Sequence, residues 1–202
     1  MDAEQDTLVN PFGMDETCTN CPELCGTRER VVHGYGPVDA EFLVVGEMPG
    51  PEADASGVPF DGTPVLDVLE RVGFVERSDG DVRVENAYLT YLTRCRHPER
   101  GPTDAEVLAC DGYLTAEIRM INPEIIVPVG QRVCEALATE YTTRDPGDFD
   151  VEAEHATTVR GRGFELVPLH PDPDDDRRDE FVAHLGELLG RDYRQTKGRR
   201  GR

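Results

Sequence analysis

Tryptophan is absent from the sequence, and lysine occurs once, at Lys197. Cations are scarce beside anions: 21 Lys and Arg face 41 Asp and Glu, for a formal net charge of −20. An acidic, lysine-poor surface stays soluble where salt has screened ordinary charge repulsion. The composition therefore points to a cytoplasm of very high salt, as in a halophilic archaeon. Net charge alone argues against a nucleic-acid partner, but in a salt-adapted protein the acids can coat the far face. Long apolar runs are missing too. The longest, 125–129, is far too short to span a bilayer. The start, MDAEQDTLVN, lacks the basic residues and apolar stretch of a signal peptide. A cytoplasmic protein outside the membrane is expected.

What is present suits one folded domain. The 202 residues are 38% hydrophobic and 31% charged, enough for one well-buried core and short for two. No internal repeat is found. Residues 1–14 are polar and expected to be loose; the folded part is expected over 15–190, with a disordered basic tail over 191–202. Apolar segments alternate between strand-like and helix-like. EFLVVG (41–46) reads as a buried strand running into the loop GEMPGPEADASGVPFDG. Thr63 and Pro64 open a helix that Gly73 stops. AYLTYLT (87–93) is a second strand. Thr103 and Glu106 form a capping-box pair ahead of a long helix. EIIVPVG (124–130) is a third strand, followed by a short helix; 142–154 reads as a loop; FELVPL (164–169) is a fourth strand; a last helix carries Phe181, Leu185, Leu188 and Leu189. Such alternation predicts an α/β protein whose parallel sheet is covered on both faces. Ligand sites in such sheets lie at the carboxyl ends of the strands. The loops 46–62, 94–102 and 170–177, rich in reactive residue types, are the candidates.

Without an export signal, metal ligation is the natural question for six cysteines. Cys18 and Cys21 form a C-x2-C pair, and Cys95 and Cys110 lie far downstream. Such a set can hold zinc or an iron–sulfur cluster, and spacing does not choose. Cys110 can equally be a small core residue, as Cys134 is expected to be. Cys25 is close enough to compete with Cys21.

Four runs, taken in order, resemble a known family. CTNCPELCGTR, GEMPGPEADASGVPFDG, LTRCRHPERGPTDAEVLAC and LHP followed by Arg177 resemble the signatures of the family 4, iron–sulfur uracil-DNA glycosylases. The similarity spans roughly residues 15–190. It implies a three-layer α/β/α sandwich with a four-stranded parallel sheet, and a structural [4Fe–4S] cluster on Cys18, Cys21, Cys95 and Cys110. It also implies an enzyme that removes uracil, or a related deaminated base, from DNA; nothing in the sequence suggests an oligomer interface, so a monomer is expected.

Base removal needs a pocket that takes the base out of the stack, holds the developing negative charge and admits a water. Phe60, by default a core residue, is placed by the motif to stack on the flipped base. His170 can donate to a base carbonyl and hold the leaving anion. Glu47 can orient the water or stabilise an oxocarbenium-like sugar. Gly46, Met48, Pro49 and Gly50 form the close-approach loop, and Asp54 organises it. Arg94, Arg96, Arg100, Arg160, Arg162, Arg177 and Arg178 are the cations available for phosphate. The sequence departs from the family pattern. Tyr91 stands where an asparagine reads the base edge, and one hydroxyl cannot reproduce an amide's donor–acceptor pair. HPERG runs one residue short and lacks a second asparagine, leaving His97 as the nearby candidate for base contact. Asp172 to Asp176, interrupted by Pro173, replaces an LLR run with acids that repel DNA. The alternative reading is a non-catalytic iron–sulfur protein on the same scaffold, binding nucleic acid or a partner.

Overall fold

The computed structural model describes residues 8–78 and 81–191. The basic tail read over 191–202, apart from Arg191, and the first seven residues lie outside that range. The helices are α1 (Pro22–Thr27), α2 (Pro51–Ser56), α3 (Pro64–Val72), α4 (Asp104–Ile121), α5 (Gln131–Tyr141), α6 (Val151–Glu154) and α7 (Asp175–Leu189). The strands are β1 (Phe42–Gly46), β2 (Val75–Ser78), β3 (Asp81–Val84), β4 (Ala87–Tyr91), β5 (Ile125–Pro128), β6 (Val159–Arg160) and β7 (Glu165–Leu166).

The main sheet has the order β4-β1-β5-β7-β6. Its first four strands are parallel, and β6 adds a short antiparallel edge. The expected four-stranded parallel sheet is therefore present, with a fifth strand beside it. Period-two alternation makes the three layers. Phe42 and Val44 of β1 pack with Val65, Leu66 and Leu69 of α3 and Phe181 and Leu185 of α7. Leu43 and Val45 point the other way, onto Leu114 and Ile118 of α4 and Val133 and Leu137 of α5. With both faces covered, β1, β4 and β5 are buried along their whole length.

Local signals explain most boundaries. Thr103 and Glu106 make both halves of the capping box on α4. Gly73 ends α3 at φ 90, in the left-handed region that favours glycine. Thr63 does not cap α3 with its side chain; the hydroxyl turns back to the Phe60 carbonyl, 2.7 Å away. Residues 8–14 are hydrogen-bonded to the segment around Gly34 and Gly36. Asn10 donates its backbone N–H to Gly34 O, and its side chain accepts from the Met14 N–H. The loop read at 142–154 contains α6, capped by Asp150. The β2–β3 hairpin has no counterpart in the sequence reading. Its outward residues are largely charged, so it carries no apolar run to recognise.

Candidate active site

In chain order the parallel strands lie second, first, third, fourth, so the connection reverses direction at β1. Open α/β sheets bind ligands at such a switch point, outside the carboxyl ends of the strands. A cleft of about 420 Å³ opens there. Gly46, Glu47, Met48 and Gly50 line it from the end of β1. Tyr91 comes from the end of β4, Val129 to Arg132 from the end of β5, and Pro171 from the loop after β7. Phe60, Thr63, Val65 and Glu135 complete it.

Phe60 holds φ 64, rare for a bulky L residue, and is 3% exposed. Three bonds keep it there. Its N–H donates to Tyr91 Oη at 2.6 Å, and its carbonyl accepts from Thr63 N–H at 3.0 Å and Thr63 Oγ1 at 2.7 Å. The Phe60 and Tyr91 rings pack at 4.9 Å between centroids. Gly46 makes room for both, since a Cβ there would lie 2.7 Å from each ring. Burial pushes the Tyr91 hydroxyl well above its ordinary range. Tyr91 is thus part of the cleft floor, with its hydroxyl oxygen engaged by the Phe60 backbone.

Glu47 leaves β1 with its carbonyl bonded to Thr93 N–H and its carboxylate half-exposed, 3.8 Å from Arg132 Nε. Arg132 Nη2 reaches Asp104 at 2.5 Å, while its Nε is buried without a hydrogen-bond partner. Gly101 leaves space for Glu47: a Cβ there would stand 2.9 Å from Oε1. Asp54 is 2% exposed and accepts from the Glu29 and Arg30 N–H groups, tying α2 to the N-terminal segment.

His170 and His97 do not line the cleft, and neither does Pro49. The His97 Nδ1 accepts from Glu99 N–H at 3.2 Å, inside its own loop. His170 sits beside the cleft, next to Pro171. Its Nδ1 accepts from Asp172 N–H at 3.1 Å, so the ring carries its proton on Nε2 and presents a neutral donor there. That donor reaches Glu152 Oε1 at 3.0 Å, and Arg177 holds the other oxygen of the same carboxylate. The acidic run has a local job, because Asp174 caps α7 by accepting from Arg177 N–H, where acids also suit the helix dipole. Arg94 is not available to phosphate. It is 1% exposed and paired at 2.6 Å with Glu117, which is fully buried. Arg100 is held by Glu106 and Glu23.

Thr63, Gln131, Arg132 and Glu135 were not anticipated as cleft residues. The signal was available: Gln131 and Arg132 follow a buried strand, and the rule that selected the other loops applies equally to this one.

Cys18, Cys21, Cys95 and Cys110 all line one small, largely enclosed cavity, together with Leu24, Val31, Ala109, Arg28, Arg94 and Tyr113. Donors face the thiols. Arg28 Nη1 is 3.0 Å from Cys95 Sγ, and Arg94 and Tyr113 stand in the same wall. Burial pushes the Cys95 thiol up to about 11. Thiolates there need added positive charge, which a metal supplies on binding. Among the described residues, no three Cys, His, Asp or Glu side chains gather closely enough to hold a single metal ion. The four thiols ring a space instead, with donors and two guanidinium groups around it; this donor set fits a cysteine-bound cluster. Cys25 lies outside the lining and donates to Cys18 O. Cys134, on α5, is buried in the core cluster that α5 shares with α4, as expected.

The family model of the uracil DNA glycosylase superfamily matches residues 33–185. The chain is similar to the type-4 uracil-DNA glycosylase of Thermotoga maritima, at 40% identity over 114 residues, 56% of each chain. It is 30% identical over 154 residues to that of Archaeoglobus fulgidus, covering 74% of this chain and 69% of the relative. For that of Saccharolobus solfataricus the figures are 34% over 151 residues, 73% and 62%. The matches span a little over half to about two thirds of these relatives' lengths. With the switch-point cleft, the Gly46–Phe60–Tyr91 floor and a family match across most of the sheet, the chain belongs to the uracil-DNA glycosylase superfamily.

Proposed function

We propose that the chain is a DNA glycosylase that hydrolyses the N-glycosidic bond of uracil, or of a related deaminated base, in DNA, and so starts base excision repair. One observation carries the reading: the first signature loop, the Tyr91 strand end and the loop after His170 all meet at one cleft. The names of the type-4 relatives support it.

In this reading the base leaves the stack and lies against Phe60. His170 moves its Nε2–H from Glu152 to a base carbonyl, and holds the charge that develops as the bond breaks. A neutral imidazole suits this task, since it stabilises an anion by donation without giving up its proton. Glu47, at the cleft wall, orients the attacking water and faces the developing positive charge on the sugar. Arg132 Nε, buried with no hydrogen-bond partner and 3.8 Å from Glu47 Oε1, is a donor for a substrate oxygen or for that water. The Tyr91 hydroxyl serves the platform, so reading of the base edge falls to the polar side chains of Thr63, Arg132 and Glu135. Cys18, Cys21, Cys95 and Cys110 hold a [4Fe–4S] cluster whose part is structural, pinning the N-terminal segment to the β4–α4 connection. The protein works in a salt-rich cytoplasm, where stacking and shape carry much of the affinity that salt removes from phosphate contacts.

The test is excision by the purified protein in multimolar KCl. Oligonucleotides carrying uracil, hypoxanthine or no lesion serve as substrates, single- and double-stranded. Cleavage at uracil is expected. Cleavage at hypoxanthine alone would keep the enzyme class and change the base. Retained binding without cleavage would favour a non-catalytic role.

A further inference from the structure

We propose that Arg94 is a positioning residue that donates its Nε–H to the iron–sulfur cluster and ties the cluster to the floor of the base cleft. The inference rests on the proposed cluster.

Arg94 follows β4 and is buried to 1% exposure. Its side chain reaches three acceptors. Nη2 reaches Glu117 Oε2 at 2.6 Å, and Nη1 reaches Tyr91 O at 3.0 Å and the Thr90 hydroxyl. Glu117 is itself satisfied by Thr90 Oγ1 at 2.7 Å and Tyr88 Oη at 3.3 Å. Gly34 leaves space for this arrangement, as a Cβ there would stand 2.5 Å from Glu117 Oε1. Of the three guanidinium nitrogens of Arg94, Nε is the one buried with no hydrogen-bond partner. A buried charged donor left unpaired is costly, so its partner is to be sought in the space it borders. That space is the cavity walled by Cys18, Cys21, Cys95 and Cys110.

The chemistry suits a cluster. Thiolates and sulfides gather negative charge and accept N–H bonds, and such bonds tune a cluster's reduction potential. The guanidinium fork serves several acceptors in fixed directions, which an ammonium cannot do. One end faces the thiols, and the other holds the Tyr91 carbonyl. Tyr91 in turn accepts from Phe60 N–H and packs on its ring. Cluster, Arg94, Tyr91 and Phe60 thus form one contiguous hydrogen-bonded and packed series.

The test compares the holoprotein with Arg94→Lys, which keeps the charge but not the Nε–H, and with Arg94→Gln/Glu117→Gln, which removes the buried pair with charges balanced. Iron and sulfide content is measured first. Resonance Raman Fe–S bands and the cluster reduction potential follow. Fully loaded variants are expected to show Fe–S bands shifted to higher frequency. The potential of the double variant is expected to fall as the nearby cation is lost. A purely structural Arg94 would leave both signals unmoved once iron is full; that result would overturn the inference and leave the cluster reading intact. Wild-type protein without iron would overturn the cluster reading and the inference with it.

Discussion

Phe60 concentrates the site's demands in one residue. A positive φ at a bulky side chain costs on the order of 1–3 kcal/mol, and here it is held by bonds from Tyr91 and Thr63. The reward is an aromatic surface at the cleft. If it stacks on the base, Phe60→Ala should weaken binding of a uracil-containing oligonucleotide by about 1–3 kcal/mol. A fluorescence anisotropy titration reads this directly, and unchanged affinity would remove Phe60 from that role. Gly46→Ala places a methyl group 2.7 Å from both platform rings. Overpacking of that kind costs roughly 1–3 kcal/mol, to be seen as a lower denaturant midpoint. At His170 the partner matters as much as the ring. His170→Ala should slow excision by about 10²-fold or more with the fold intact. Glu152→Gln, which weakens the hold on the same donor, should raise excision per encounter. Equal slowing by both variants would assign Glu152 to the productive geometry instead.

Elements whose formation is dictated locally were legible in advance. The capping box foretold the start of α4, and unbroken apolar runs foretold β1, β4 and β5. Glu106 shows what the box contributes. Hydrogen bonds from Arg100 and the Thr103 N–H pull its carboxyl from 4.5 down to about 2. Its stabilising effect is therefore complete above the ordinary carboxylate value and is lost as the pH falls towards about 2. Glu106→Gln should lower the denaturant midpoint at pH 7, and the gap from wild type should close as the pH falls through that window. A gap independent of pH would contradict the assignment. Elements defined by their partners were not legible. Asp172 to Asp176 read as acids opposed to DNA, and Asp174 proves to be a helix cap. Arg94 read as a phosphate contact because sequence gives no sign of Glu117 arriving from α4, 23 residues on. The turn after β5 was passed over because Gln131 and Arg132 belong to no recognised motif run.

At the scale of the molecule, the order of motifs along the chain foretold the three-layer fold and the meeting of strand ends. Distances between groups were beyond it: that the Tyr91 hydroxyl faces the Phe60 backbone, or that Glu152 reaches His170, is set by packing of segments far apart in sequence. The cysteine cavity likewise joins three such segments. Cys18→Ser should therefore lose iron while Cys134→Ser, in the core, should retain it; iron analysis of the two purified variants decides this. The net charge of −20 makes salt a variable in every assay, because surface repulsion weakens as salt screens it. The most direct measurement is the single-turnover rate of free uracil release from a uracil-containing oligonucleotide in multimolar KCl, wild type beside His170→Ala. The account predicts release by wild type and a loss of about two orders of magnitude in the variant. Binding of the oligonucleotide by iron-loaded wild type without any base released would contradict it.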